Sequence, residues 1–166
     1  MGHLEFCSNC GKKNKFGEKD GNKRFYCSSC NTIHYENPKP TATLICPSNN
    51  SILLVKRAKE PGKGLWGLPG GFIERGENLE MGAARELLEE TNLQGTVKKI
   101  LGTCCHFNTI FGDILLIGME VQIADWSTIR AGDDATEAVL FPLDGLPPLA
   151  FPCHENIVTN YRHTQL

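Results

Sequence analysis

Eight of the 166 residues are cysteine, and four of these crowd the first thirty positions as two pairs, Cys7-x2-Cys10 and Cys27-x2-Cys30, with sixteen residues between them. No other feature restricts the fold so tightly. Two residues between cysteines let one tight turn aim both sulfurs at a single point. Gly11 follows the first pair, where such a turn needs a positive φ. Two turns of this kind predict a tetrahedral four-thiolate site for a structural Zn2+, held by Cys7, Cys10, Cys27 and Cys30. With all four positions thiolate, none is open for a catalytic water. A redox pair and an iron site are the other readings of the same spacing. A segment this short has few apolar residues to bury, so metal binding must supply much of its folding free energy. Cys46, Cys104, Cys105 and Cys153 are scattered, and free thiols are the expectation for them.

Charge divides the chain near the same point. Residues 1–40 hold seven basic against four acidic side chains and residues 41–166 hold ten against fifteen, so the net −2 covers a basic segment and an acidic one. Asn37-Pro38-Lys39-Pro40 lies between them, where two prolines stiffen an extended connector. The expected organisation is a ribbon over residues 1–36, a linker over 37–40 and a second domain over 41–166, a normal domain size. Neither charge balance is large enough to compel binding to nucleic acid. No apolar run approaches the ~20 residues of a membrane helix. The stretch Met1-Gly2-His3-Leu4-Glu5 lacks the basic and apolar segments of a leader. The expectation is a cytoplasmic chain with reduced thiols and no membrane partner.

In the second segment, residues 41–46 and 52–57 read as strands, joined as a hairpin by the turn residues Pro47-Ser48-Asn49-Asn50. A Gly/Pro-rich loop spans 61–71. Residues 78–91 form the strongest helix, 96–107 and 111–123 further strands, 125–134 a polar loop, 136–141 a short strand and 153–163 a closing helix. The fold class is α+β. Asn78 suits the N-cap of the strong helix. At about 100° per residue, Glu86, Glu89 and Glu90 share one face, and Ala84, Leu87, Leu88 and Thr91 the other. Three carboxylates at i, i+3 and i+4 repel one another. The cluster makes sense where a divalent cation neutralises it, and hard oxygen donors select Mg2+ or Mn2+. For the helix taken alone, a solvated acidic face is the plainer reading.

The residues around the helix favour the metal. Gly71, Glu77, Arg85, Glu86, Leu87, Glu89, Glu90 and Leu93 stand in the register G-x5-E-x7-R-E-U-x-E-E-x-G-U, where U is a bulky aliphatic. In this the chain resembles the Nudix hydrolases. One position departs: Asn92 stands where the family has glycine, at a helix end that calls for left-handed backbone, for which Asn is the next-best residue. The resemblance implies an α/β/α sandwich with a mixed sheet, and hydrolysis of a nucleoside diphosphate linked to a second moiety, X. By position it implies that Glu86 and Glu90 are the principal Mg2+ ligands and that Glu89 helps to hold metal or water. It also implies that the Gly71 carbonyl completes the shell and that Glu77 and Arg85 pair to fix the loop on the helix. A general base outside the box is common in the family. Glu137 is the first candidate and Glu120 or the pair Asp133 and Asp134 the alternatives, with an ordinary surface role for Glu137 equally open.

A zinc ribbon followed by a Nudix domain is similar to the NADH pyrophosphatases, but the S-Q-P-W-P-F-P-x-S array that those carry after the box is missing from residues 101–111. A resemblance over nearly the whole chain is to the short zinc-ribbon Nudix proteins that include plant chloroplast FAD and ADP-ribose pyrophosphatases. It rests on Phe6-Cys7-x2-Cys10-Gly11, Asp20-Gly21, Tyr35-x-Asn37-Pro38-Lys39, Gly64-Leu65-Trp66-x-Leu68-Pro69, Leu149-Ala150-Phe151 and Tyr161. The implied substrate is a small nucleoside diphosphate compound, FAD or ADP-ribose first and NADH second. Trp66, Phe107 and Phe111 are candidates to stack on a flat ring, though each also suits a core. Arg57 is a candidate to hold a phosphate by its guanidinium fork, or to pair with a box glutamate; Lys39 and Arg75 are weaker candidates. His106 and His154 lie beside Cys104, Cys105 and Cys153 and read as ordinary histidines, with a second metal site the remote alternative. Two other functions share the framework: a nucleotide-sensing regulator without catalysis, and a hydrolase of oxidised nucleoside triphosphates. Relatives commonly dimerise, so a homodimer is open.

Overall fold

The structure, a computed structural model, describes residues 4–165. Residues 1–3, on which part of the leader reading falls, and residue 166 lie outside the described residues. The chain forms two compact units, residues 1–37 and 38–166.

In the first unit, β1 (Lys15–Lys19) and β2 (Asn22–Tyr26) form an antiparallel hairpin, and β3 (Ile33–His34) pairs with β2. Among its described residues only Cys7 and Cys27 are buried. The unit therefore has cysteine sulfur where a larger domain has an apolar core.

The second unit begins with β4 (Lys39–Ile45), so Lys39 and Pro40, read above as linker, are strand. β5 (Pro47–Ser48), β6 (Ser51–Arg57), β7 (Trp66–Gly67) and α1 (Leu79–Thr91) follow. Then come the long strands β8 (Gly95–Thr109) and β9 (Gly112–Ile123), β10 (Ala135–Pro142) and α2 (Pro152–His163). β4 runs parallel to β9, which pairs antiparallel with β8. β6 pairs antiparallel with β5, β7 and β10. The expected hairpin between the strands flanking Asn49 is thus corrected. β6 turns back on the two residues of β5, while β4 belongs to a different sheet. Both strands are buried over most of their length, and their sequence pattern suits buried neighbours without naming them.

The layering follows from the alternation of side chains along these strands. Leu44, Leu53, Met119 and Val121 pack with Ala83 and Leu87 of α1. Ile45, Ile52 and Leu54 pack with Ile157, Val158 and Tyr161 of α2. Two cores, one on each side of the strands, make the α/β/α sandwich. On α1 the buried residues are Gly82, Ala83, Leu87, Glu90 and Thr91. Ala84 and Leu88 face solvent instead, a correction to the expected apolar face. The helix is turned so that Glu90 goes inward with Leu87. Among the described residues no helix is long and apolar enough to cross a membrane.

Candidate active site

In the N-terminal unit the four cysteine sulfurs lie within 4.8 Å of one another. Cys7 and Cys30 Sγ are 3.7 Å apart, and Cys10 and Cys27 Sγ 3.5 Å. A tetrahedron with metal–sulfur bonds of about 2.3 Å has edges of about 3.8 Å, so the cluster already has the dimensions of a four-thiolate metal site. The Thr32 hydroxyl lies 3.1 Å from Cys30 Sγ. With the Thr32 backbone and Cys10, it draws the Cys30 thiol down to about 6, toward the thiolate that binds metal. Among the described residues no second His/Cys/Asp/Glu cluster closes up in this way.

The acidic helix is assembled around Arg85. Its Nε and Nη2 donate to the two Glu77 oxygens at 2.7 and 2.9 Å, and Nη2 also donates to the Phe72 carbonyl at 2.9 Å. Its Nη1 donates to Glu86 at 2.7 Å and to Glu89 at 3.0 Å. The fork geometry suits such bidentate pairing. Arg85, helped by the Glu74 N–H, pulls the Glu77 carboxyl down to about 2. One guanidinium thereby ties the loop before the helix to two of the three helix carboxylates.

The third carboxylate has no such cation. Glu90 is 6% exposed, and among the described residues its Oε2 accepts only the Gly70 N–H, at 2.9 Å. Burial pushes it up to about 8; the Gly70 N–H and Arg57 oppose the shift, while Glu86 and Asp134 add to it. Glu86 is raised as well, by burial first, with Glu89 and Asp133 adding and Arg85 opposing. A buried carboxylate short of positive charge is the environment a divalent cation relieves.

The loop 67–73 delivers the backbone to this cluster. It runs along β4, whose Ala42 and Leu44 N–H groups donate to the Gly71 and Pro69 carbonyls at 2.9 and 2.8 Å. A Cβ on Gly70 would lie 2.1 Å from the Ala42 carbonyl oxygen, and one on Gly71 would lie 2.5 Å from the Glu86 carboxylate. Backbone blocks any side chain at Gly70, whereas at Gly71 a side chain would displace the Glu86 carboxylate. The Gly71 carbonyl keeps a second lone pair beyond its bond to Ala42. The donor set, three carboxylates and a backbone carbonyl, is all oxygen and fits a hard divalent cation.

A cleft of about 140 Å3 opens beside Gly70 and Gly71. Phe72, Phe111, Ile114 and Phe151 form its apolar wall, with Phe72 and Phe111 edge to face at 5.6 Å. Arg57 lines it too; its guanidinium lies over Phe151, 5.0 Å from the ring centre, and its Nε donates to the Pro61 carbonyl at 2.7 Å. His106 and the buried His154 complete the polar side.

Not every residue expected at the site lies there. Phe107 is 61% exposed and outside the cleft wall, because His106 beside it points in and alternate strand residues face opposite ways. Trp66 stands edge-on to Phe141, 4.7 Å away, and packs against the α2 core. Glu137 lies opposite Lys56 on β6 and pairs with it at 2.9 Å, half exposed and outside the cleft wall. Glu120 pairs with Lys99 at 3.2 Å across β8 and β9. Lys39 and Arg75 are exposed and outside the cleft wall. Asp133 and Asp134 sit within electrostatic reach of Glu86 and Glu90, with Lys59 paired to Asp134. Sequence reasoning missed Phe72 and Phe151. Phe72 directly follows the box glycine, which was the available signal; Phe151 reaches the cleft only through the packing of α2.

Residues 38–161 match the NUDIX domain family, and residues 5–36 the family described as Nudix N-terminal. An ADP-ribose pyrophosphatase of Methanocaldococcus jannaschii is 40% identical over 135 residues, 76% of this chain and 75% of its own length. An NAD-capped RNA hydrolase, NudC, of Pseudomonas aeruginosa is 26% identical over 147 residues; 89% of this chain aligns, and the chain spans 51% of that protein. Among solved structures, a NUDIX hydrolase from Nitrosomonas europaea aligns with a TM-score of 0.84 and 31% identity, covering 98% of this chain and 92% of that one.

Proposed function

The chain belongs to the Nudix hydrolase family, and on that premise we propose that it hydrolyses the diphosphate bond of nucleoside diphosphate-X compounds, with ADP-ribose ahead of FAD and NADH. The observation that carries this reading is the meeting of a buried Glu90, held by the Gly70 N–H, and a Glu86 held by Arg85 against Gly71, where Gly70 and Gly71 line a mostly apolar cleft. Glu86, Glu90, Glu89 and the Gly71 carbonyl would hold Mg2+ or Mn2+. When bound, such a cation polarises phosphoryl oxygens and lowers the pKa of an attacking water.

The chain's own residues supply orientation and charge. Arg85 fixes the carboxylates of Glu86 and Glu89, and the Gly70 N–H fixes Glu90. Arg57, braced by Phe151 and the Pro61 carbonyl, offers a cation on the cleft wall for a substrate phosphate. Asp133, within electrostatic reach of Glu86, is a better source of an outside base than Asp134 or Glu137, which Lys59 and Lys56 engage. Phe72 and Phe111 present ring faces and edges to a base. The 140 Å3 cleft suits one small ring system, such as the adenine that ADP-ribose, FAD and NADH share. The 40% identical relative puts ADP-ribose first. In the N-terminal unit, Cys7, Cys10, Cys27 and Cys30 would hold a structural Zn2+.

The test is a side-by-side assay of ADP-ribose, FAD, NADH and nucleoside triphosphates with Mg2+ or Mn2+. Conversion of ADP-ribose to AMP and ribose 5-phosphate, faster than cleavage of the others, is expected. Failure to cleave any diphosphate would overturn the reading. Pyrophosphate release from triphosphates alone would replace it with the triphosphate-hydrolase alternative.

A further inference from the structure

The segment that carries Gly70 and Gly71 is held on both flanks by strands. β7 pairs Trp66 and Gly67 with β6, and Pro69 and Gly71 accept from β4. Between these anchors the buried Leu68 N–H faces neither strand. Its acceptor is a side chain 86 positions away: Nδ1 of His154, on α2, at 3.0 Å. The His154 ring also rests against Gly67, where a Cβ would lie 3.3 Å from its Cε1 and Nδ1. Phe151 packs edge-on to the same ring at 5.3 Å. The histidine is buried, and burial, with Arg57 and His106 nearby, drives it down to about 3, so the ring stays neutral and Nδ1 stays an acceptor. From Leu68 the chain reaches Gly70 through Pro69, whose φ is fixed, and Gly70 is the residue that donates to Glu90.

We propose that His154 is a positioning residue for the divalent-cation site: by accepting the Leu68 N–H and supporting Gly67, it sets the height of Gly70 and Gly71 over Glu90 and Glu86. The proposal rests on the reading above that these carboxylates hold the cation. It assigns α2 a part in the site that none of the box residues reveals. His154 also lines the cleft, but its Nδ1 is engaged by the Leu68 N–H, so the positioning role is read at the cation site, by Mn2+ binding without substrate.

Three variants of the full chain separate this from a packing role. His154→Leu removes the acceptor. His154→Asn places an amide oxygen near the former Nδ1, whereas His154→Gln places its amide near the former Nε2. Mn2+ binding is followed by electron paramagnetic resonance, Leu68 amide exchange by NMR, and the Mg2+ activation midpoint with ADP-ribose. The expected result is Mn2+ binding weakened about tenfold or more in the Leu and Gln variants, with restoration to within about threefold in the Asn variant, since partners that orient metal ligands carry effects of this size. The Leu68 amide should exchange faster in the Leu and Gln variants and slowly again in Asn. Should His154→Leu fail to fold, the Asn and Gln pair carries the comparison. Equal Mn2+ affinity in the Asn and Gln variants, or native affinity in His154→Leu, overturns the positioning role alone. Absence of Mn2+ binding by the unmodified chain overturns the cation site and the proposal together.

Discussion

Glu90 is the residue on which the site turns, and its burial makes two outcomes predictable. Glu90→Gln keeps the shape and the acceptor for the Gly70 N–H but removes the charge a cation needs. Turnover should fall by about two decades or more, measured as kcat with saturating Mg2+; near-native kcat would remove Glu90 from the ligand set. The second outcome is a pH dependence of the metal-free chain. Its carboxyl is raised from the ordinary 4.5 to about 8, so over that range the folded state holds a proton that the unfolded state has released. The associated stability is fully present below about pH 4.5 and is lost as the pH climbs toward 8. Melting temperatures with a chelator of Mg2+ should therefore fall between pH 5 and 8, and Glu90→Gln should flatten the slope. Arg85 acts in the opposite sense. Arg85→Lys keeps the charge but loses the fork that holds Glu77, Glu86 and Glu89 together. It should cost about 2 kcal/mol in denaturant unfolding, with kcat falling as well. The identities of these residues were legible because their spacing is fixed. Their distribution between solvent and interior was not, because the rotation of α1 depends on what it packs against.

At the scale of the element, the end of α1 explains the one departure from the box. Asn92 has φ 56, in the left-handed region. Its Nδ2 donates to the Thr128 carbonyl at 2.9 Å and its carbonyl accepts from the Thr128 hydroxyl at 3.2 Å. A glycine would satisfy the backbone and lose the amide tether to the loop that bears Asp133 and Asp134. Asn92→Gly should hold global stability to within about 1 kcal/mol, while amide exchange across 125–134 quickens. Asn92→Ala should be worse than Gly by about 1 kcal/mol, because its Cβ is strained in left-handed backbone. Equal midpoints for the two in urea would count against this account. Strand positions were largely readable from apolar runs and turn residues, and both long strands and both helices lie close to where the pattern put them. Partnership was not readable. β4 finds β9 some seventy residues onward, in parallel, and nothing local distinguishes that neighbour from β6. The choice between site and core for Trp66 and Phe107 was unreadable for the same reason: an aromatic side chain looks alike on a cleft wall, in a core or on an exposed strand face.

For the whole molecule, the two units rest on different physics. The unit of residues 38–166 has two apolar cores, one under each helix. Among the described residues of the unit spanning 1–37, the buried side chains are Cys7 and Cys27, while Phe6 and Phe16 are 60% and 57% exposed. Apolar burial therefore cannot hold the smaller unit together; below about 40 residues a metal, disulfides or oligomerisation is usually required. Its cysteines are free and their sulfurs stand at the separations of a tetrahedral site. Metal binding and folding of that unit should be one equilibrium. A strong chelator should strip one equivalent of Zn2+ and abolish amide protection across residues 5–36. The unfolding transition of 38–166 should persist at its original temperature, because its cores contain none of the four cysteines. Cys7→Ser should reproduce the chelated state without chelator. Protection surviving metal removal would show that the hairpin of β1 and β2 is stable on its own, and a shared loss of both transitions would show that the larger unit depends on the smaller for its stability.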